Sequence, residues 1–154
     1  MRFICDAMLG GLAKWLRAAG YDAYYAREGT DIADRTLTEK ALKEGRVLLT
    51  GDRGFLERAP VRDGRLELVL LPQLPVEEQL RAVVERFGLD PRPSRCMECN
   101  GELETVDSQT VAERVPPGVF RECREFWRCR RCGRVFWHGS HWARISGRLE
   151  RVFS

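Results

Sequence analysis

Four of the six cysteines in this 154-residue chain fall in two identical pairs, Cys96-x2-Cys99 and Cys129-x2-Cys132, with 29 residues between them. Two intervening residues let both sulfurs of a pair reach one tetrahedral ion, and two such pairs complete its coordination. Asn100-Gly101 and Gly133 sit just past the pairs and allow the tight turns that this needs. The spacing predicts a structural zinc site closed by Cys96, Cys99, Cys129 and Cys132, and so a small metal-stapled module in this region. Disulfides or free thiols are the competing reading. They lose ground if the thiols stay reduced, and the N-terminus, MRFICDAMLG, lacks the long apolar stretch of a secretory signal. No apolar run has the length of a membrane span. The expectation is a cytoplasmic protein without membrane contact, with Cys5 and Cys123 left over for packing or as free thiols.

Ahead of the cysteines the pattern changes. Arg2–Asp6 is a short apolar run ending in an acid. Gly10–Gly20 carries Leu12, Trp15, Leu16 and Ala19 at helical spacing, and Asp22–Ala26 reads as a second strand. A polar loop covers Arg27–Asp34. Thr36 and Glu39 then have capping-box spacing, ahead of a Leu37, Ala41, Leu42 stripe that stops at Gly45. Val47–Thr50 is uninterrupted and apolar until its β-branched end, as in a strand buried on both faces of a parallel sheet. A helical turn over Phe55–Arg58, a strand over Leu66–Leu71 and a helix over Val76–Phe87 follow. This alternation predicts an α/β sandwich with a mostly parallel sheet over residues 1–88. LDPRPSR, residues 89–95, reads as a linker. Residues 96–154 are expected to form a zinc ribbon and a C-terminal tail, with few helical stripes as far as Trp142.

Charge is uneven. Residues 1–88 carry 14 basic and 14 acidic side chains, residues 89–154 carry 12 and 9, and six arginines fall within Arg121–Arg134. Four thiolates around one zinc would lower the overall charge to roughly +1, so net charge alone does not argue for nucleic acid. Aromatics interleave with those arginines: Phe126, Trp127, Phe136, Trp137, His138, His141 and Trp142. Such a surface stacks bases and contacts phosphates, or else packs a ribbon that has little aliphatic core.

Three acids stand where the pattern changes from one element to the next. Asp6 ends the first strand, Asp34 begins the second helix, and Asp52 follows the central strand in RVLLTGDRGF. In a parallel sheet Asp6 and Asp52 share the carboxyl edge, outside which open α/β sheets bind ligands. Adjacent carboxylates repel unless a cation neutralises them, and oxygen-only ligands favour Mg²⁺ or Mn²⁺. Singly, each acid reads first as a helix cap; together, with two at strand ends, they read as a site.

Five segments together carry a family resemblance: DAMLGGLAKWLRAAGYDA, EGRVLLTGDRGF, EEQLRAVVERFGLD, SRCMECNGEL and CGRVFWHGSHW. Over nearly its whole length the chain resembles the small PIN-like ribonuclease domain named after the C-terminal part of the mutator-seven exonuclease. The resemblance implies a PIN-like three-layer α/β sandwich followed by a zinc ribbon, and metal-dependent hydrolysis of RNA at Asp6, Asp34 and Asp52. Many such domains carry a further acid two residues after Asp52, where this chain has Gly54; Asp31 and Glu39 are the candidate additional acids. Lys14, Arg17, Arg128, Arg130, Arg131, Trp137 and His141 are the RNA-binding candidates, and RNA is the expected partner, with a ribosome or RNA-processing complex as a candidate one. The leading expectation is an Mg²⁺- or Mn²⁺-dependent endoribonuclease with a structural zinc. Two alternatives stand beside it: a noncatalytic RNA- or ribosome-binding module on the same scaffold, and a toxin of a toxin–antitoxin pair.

Overall fold

Side-chain alternation along a few very short strands decides where the core sits. In the computed structural model, which describes residues 1–154, β1 (Arg2–Cys5), β2 (Asp22–Tyr25), β3 (Val47–Thr50) and β4 (Leu68–Leu70) form a parallel sheet in the order β2-β1-β3-β4. Phe3, Cys5, Val47, Leu49 and Val69 face one way and pack against α1 (Gly10–Ala18) and α4 (Val76–Phe87) through Leu12, Leu16, Leu80 and Val83. Ile4 and Leu48 face the other way, onto Leu37 and Ala41 of α2 (Asp34–Glu44), with Phe55 and Leu66 completing that layer. Each fully buried leucine contributes about 1.5–3 kcal/mol. Between β3 and β4 the chain makes a tight turn over Arg53–Glu57 and the short helix α3 (Ala59–Arg62).

Element boundaries depart most from the sequence reading in three places. The α2 helix starts at Asp34 with Ala33 as its cap, so no capping box forms from Thr36 and Glu39. The Thr36 hydroxyl instead donates to Asp31 Oδ2 at 2.6 Å, and Glu39 pairs with Arg35 one turn away. Only Leu68–Leu70 of the Leu66–Leu71 run pairs as strand, because β3 offers a short partner. At the other end of the chain, Ser140–Phe153 is a helix, α7. Its Leu149, Val152 and Phe153 join the main core, and Arg151 pairs with Glu77 at the start of α4. The apolar spacing of Ile145, Leu149 and Val152 was the available signal, hidden behind the aromatic and arginine-rich stretch before it.

The cysteine-bearing half is a three-stranded antiparallel sheet, β5 (Leu103–Val106), β6 (Phe126–Cys129) and β7 (Val135–Trp137), in the order β5-β6-β7. The long β5–β6 connection carries α5 (Ser108–Val111) and α6 (Pro117–Glu122) and closes a small core of Val111, Val115 and Phe126.

Residues 89–95 are bonded to α1. The amides of Arg92 and Arg95 donate to the carbonyls of Ala19 and Arg17, and the Ser94 hydroxyl donates to Ala18. These are the orphan carbonyls that any helix C-terminus leaves. Gly20 has φ +97°, and a Cβ there would lie 2.5 Å from Arg92 Cβ, so only glycine fits the crossing. Asn100, at φ 71°, accepts from the Ala23 amide and donates to Asp22 Oδ1 at 2.6 Å, tying the first cysteine turn to β2. No helix is long and apolar enough to cross a membrane.

Candidate active site and metal centre

The order β2-β1-β3-β4 sends the chain from β1 to one side and brings it back past β1 to β3. The strands therefore diverge between β1 and β3, the switch point at which such sheets bind ligands. Asp6 and Asp52 leave the sheet on either side of that point. The Asp6 carboxylate, on a residue only 6% exposed, accepts the Thr50 hydroxyl proton on Oδ2 and the Met8 amide on Oδ1 at 3.0 Å. The same Thr50 oxygen accepts the Asp52 amide at 3.0 Å. Asp52 is exposed, with Oδ1 held by the Gly54 amide at 2.8 Å. A Cβ at Gly54 would lie 3.1 Å from that oxygen, so an acid in this position would crowd Asp52.

Asp34, the first residue of α2, enters from the same edge because α2 follows the carboxyl end of β2. Its carbonyl accepts the Thr38 hydroxyl, but its carboxylate bonds to neither Asp6 nor Asp52. The structure thus joins Asp6 to Asp52 through Thr50 and leaves Asp34 apart; the only cluster of three or more metal-ligating side chains is the cysteine one. Asp31 is committed to the Ala33 amide and the Thr36 hydroxyl, which hold its carboxyl below the usual range. Glu39 is committed to Arg35.

None of the ion pairs in the structure involves Asp6, Asp34 or Asp52. A desolvated carboxylate is costly unless a cation or several donors compensate it, and Asp6 has two donors and no cation. Two carboxylates at one edge of the sheet, each held by backbone or hydroxyl donors, are the kind of oxygen ligand that a hard divalent cation such as Mg²⁺ or Mn²⁺ takes.

The cysteine cluster fits a tetrahedral metal. All four sulfurs lie within 4.8 Å of one another, with Cys96 and Cys132 at 3.8 Å and Cys99 and Cys129 at 3.4 Å. Zinc–sulfur bonds of about 2.3 Å place tetrahedral sulfurs about 3.8 Å apart, whereas a disulfide needs about 2.05 Å. A Cβ at Gly101 would lie 2.6 Å from Cys129 Sγ, so the turn after the first pair has room for glycine alone. The amides of Arg131 and Cys132 both point at Cys129 Sγ. Burial works against that thiolate, but these donors and the neighbouring thiols bring Cys129 down to about 7. Burial pushes the Cys96 thiol up to about 12. Cys123 packs beside the Val111 core, and Cys5 lies in the main core, where burial drives its thiol well above the usual range.

The RNA-binding candidates separate. Lys14, Arg130, Trp137 and His141 line a cleft of about 1370 Å³ between α1, residues 92–98 and the antiparallel sheet. Arg128 pairs with Glu104, and Arg131 donates to the Cys99 carbonyl; neither lines that cleft. Arg17 is a correction. It is 2% exposed, and its guanidinium donates to the Ala23 and Met97 carbonyls and to Glu28, so it bolts α1 to β2 and to the first cysteine turn and cannot reach a phosphate. Arg92 and Arg95 line the cleft as well, and nothing in the proline-bracketed LDPRPSR singled them out.

Residues 1–149, which take in both the acid edge and the cysteine cluster, match the family described as the Mut7-C RNAse domain. The chain belongs to that family. It is 28% identical, over an alignment spanning 222 residues, to the human Exonuclease mut-7 homolog, covering 94% of this chain and 25% of that protein. The chain therefore spans about a quarter of the length of this relative. The description of that family suggests nuclease activity and implies RNA as the substrate class.

Proposed function

We propose that the chain is a metal-dependent ribonuclease, a PIN-like sandwich with an appended zinc ribbon, that hydrolyses RNA phosphodiesters endonucleolytically at the Asp6–Asp52 edge. The observation that carries this reading is the buried Asp6 carboxylate, without a cationic partner, linked through Thr50 to an exposed Asp52 at the switch point of the sheet. Asp6 and Asp52 would hold Mg²⁺ or Mn²⁺, with Asp34 as the third carboxylate of the edge. When bound, such a cation supplies an acidified water and offsets charge developing on the phosphate. The chain's own contribution is positional. Thr50 fixes the Asp6 carboxylate, and Gly54 holds one Asp52 oxygen while the other stays free toward solvent. Residues 1–88 would carry the chemistry, and residues 96–154, joined through 89–95, would grip RNA with zinc held by the four cysteines.

The alternative, a noncatalytic RNA- or ribosome-binding module, draws on one observation: three carboxylates do not converge here. A circular single-stranded RNA separates the readings, because it offers no ends. Cutting of the circle that requires Mn²⁺ or Mg²⁺ and stops with EDTA supports the proposal. Cutting of only the linear form points to an exonuclease, and binding without cutting of either form favours the module.

A further inference from the structure

Three of the four tryptophans line the cleft between α1 and the antiparallel sheet. Two of them sandwich a histidine. Trp127 of β6 stacks on His138 with ring centroids 4.3 Å apart at 26°, and His138 stacks on Trp142 of α7 at 5.3 Å and 12°. Such a ladder presents flat π faces at the wall of an open cleft rather than closing a core, because His138 is exposed and Trp127 and Trp142 are only half-buried. Four cations, Lys14, Arg92, Arg95 and Arg130, surround it, and the acids facing the same space are Glu98 and Glu104. Lys14 lies 3.7 Å from Glu98 on exposed side chains, and the exposed Arg130 lies 3.6 Å from the half-buried Glu104, which Arg128 also holds. Exposed pairs of this kind are worth at most about 1 kcal/mol, so a phosphate can displace them.

One cation of the cleft, Lys14, lies on the helix that follows the acid edge. Lys14 sits four residues into α1 from Gly10, about 6 Å along the axis, and α1 itself starts at the edge where Asp6 lies. Base faces are accessible only in unpaired RNA; in a duplex they are already stacked on one another.

We propose that this cleft binds single-stranded RNA, one base stacking on the Trp127–His138–Trp142 ladder while Lys14, Arg92 and Arg130 contact the flanking phosphates. This rests on the reading of RNA as the substrate of the acid edge, and it names the form of RNA that the edge receives.

The test titrates the zinc-loaded full chain, without Mg²⁺ or Mn²⁺ so that nothing is cut, with an unstructured 10-nucleotide RNA and with a duplex of the same sequence. Quenching of tryptophan fluorescence and affinity are both read. The single strand should quench and should bind at least about tenfold tighter than the duplex. Trp142→Ala should weaken binding about tenfold, Trp142→Phe should restore most of it, and Lys14→Glu should weaken binding and flatten its salt dependence. Lys14 is exposed on α1, so that variant remains informative if Trp142→Ala disturbs α7. Wild-type affinity in Lys14→Glu and in folded Trp142→Ala overturns the proposal, and so does equal affinity for the duplex. Retained cleavage by wild type alongside such a result would overturn the cleft alone. Binding as proposed, without cleavage by wild type under Mn²⁺, would overturn the nuclease reading alone.

Discussion

The Thr50 hydroxyl donates to Asp6 Oδ2, so the last residue of β3 fixes the carboxylate that follows β1. That bond spans the two central strands at the point where their connections diverge, and it makes the acid edge a property of strand register. Thr50→Val keeps the shape of the side chain and removes the donor. Cleavage should fall by about 10- to 100-fold, the usual cost of losing a group that orients a metal ligand, and stability should fall by about 1–3 kcal/mol because the buried Asp6 carboxylate loses one of its two donors. Unaltered cleavage would show that Asp6 needs no such support.

Asp22 contributes to the acid sensitivity of the fold. Burial alone would raise its pKa, but the Arg46 guanidinium, the Asn100 amide and Arg2 outweigh that and hold it well below 3.8, the usual value. A depressed folded pKa gives a contribution that is complete above about pH 4 and is lost as the pH falls toward the lower folded value. Urea unfolding from pH 7 to pH 2 should show wild type losing stability below pH 4. Asp22→Asn should start about 2 kcal/mol lower at pH 7 and vary less across that acid range. Parallel curves would contradict the assignment.

Removing zinc should unmake the antiparallel sheet while its chain remains covalently in place. The small core around Phe126 has only three buried residues, too few to hold β5–β7 without the metal. Chelation, or Cys129→Ser, should lower the melting temperature and shift tryptophan emission to the red, because Trp127, Trp137 and Trp142 all belong to this half. A zinc-free protein with an unchanged emission spectrum would contradict the structural role.

Docking of α7 is separately testable. Val152 is 4% exposed within the main core, although it lies in the last helix of the chain. Val152→Ala should cost about 1–3 kcal/mol in denaturant unfolding. A cost near zero would mean that α7 does not bind the α/β half in solution.

Much of the fold was legible because it rests on local signals. The apolar run of Val47–Thr50 and the stripe over Val76–Phe87 appear as β3 and α4 at the boundaries read from the sequence. The cysteine spacing forecast the cluster for the same reason, since two residues between thiols fix a turn. What sequence could not supply was long-range. Arg17 on an amphipathic helix looks like a solvated cation, and only the arrival of residues 97–100 from elsewhere in the chain encloses it. The Thr36–Glu39 spacing suggested a cap, but the helix is capped three residues earlier, at Ala33, and Asp31 takes the Thr36 hydroxyl. The aromatic ladder needs β6, the segment after β7 and α7 to meet, which spacing alone does not encode.

The central claim is that the Asp6–Asp52 edge cuts RNA with a divalent cation. The direct measurement is cleavage of an end-labelled single-stranded RNA by the zinc-loaded chain, with and without Mn²⁺, for wild type and Asp52→Asn. Mn²⁺-dependent cutting by wild type, reduced to background in Asp52→Asn with zinc content and RNA binding unchanged, is the predicted result. Equal cutting by the two proteins, or none by wild type while it still binds the RNA, would contradict the claim.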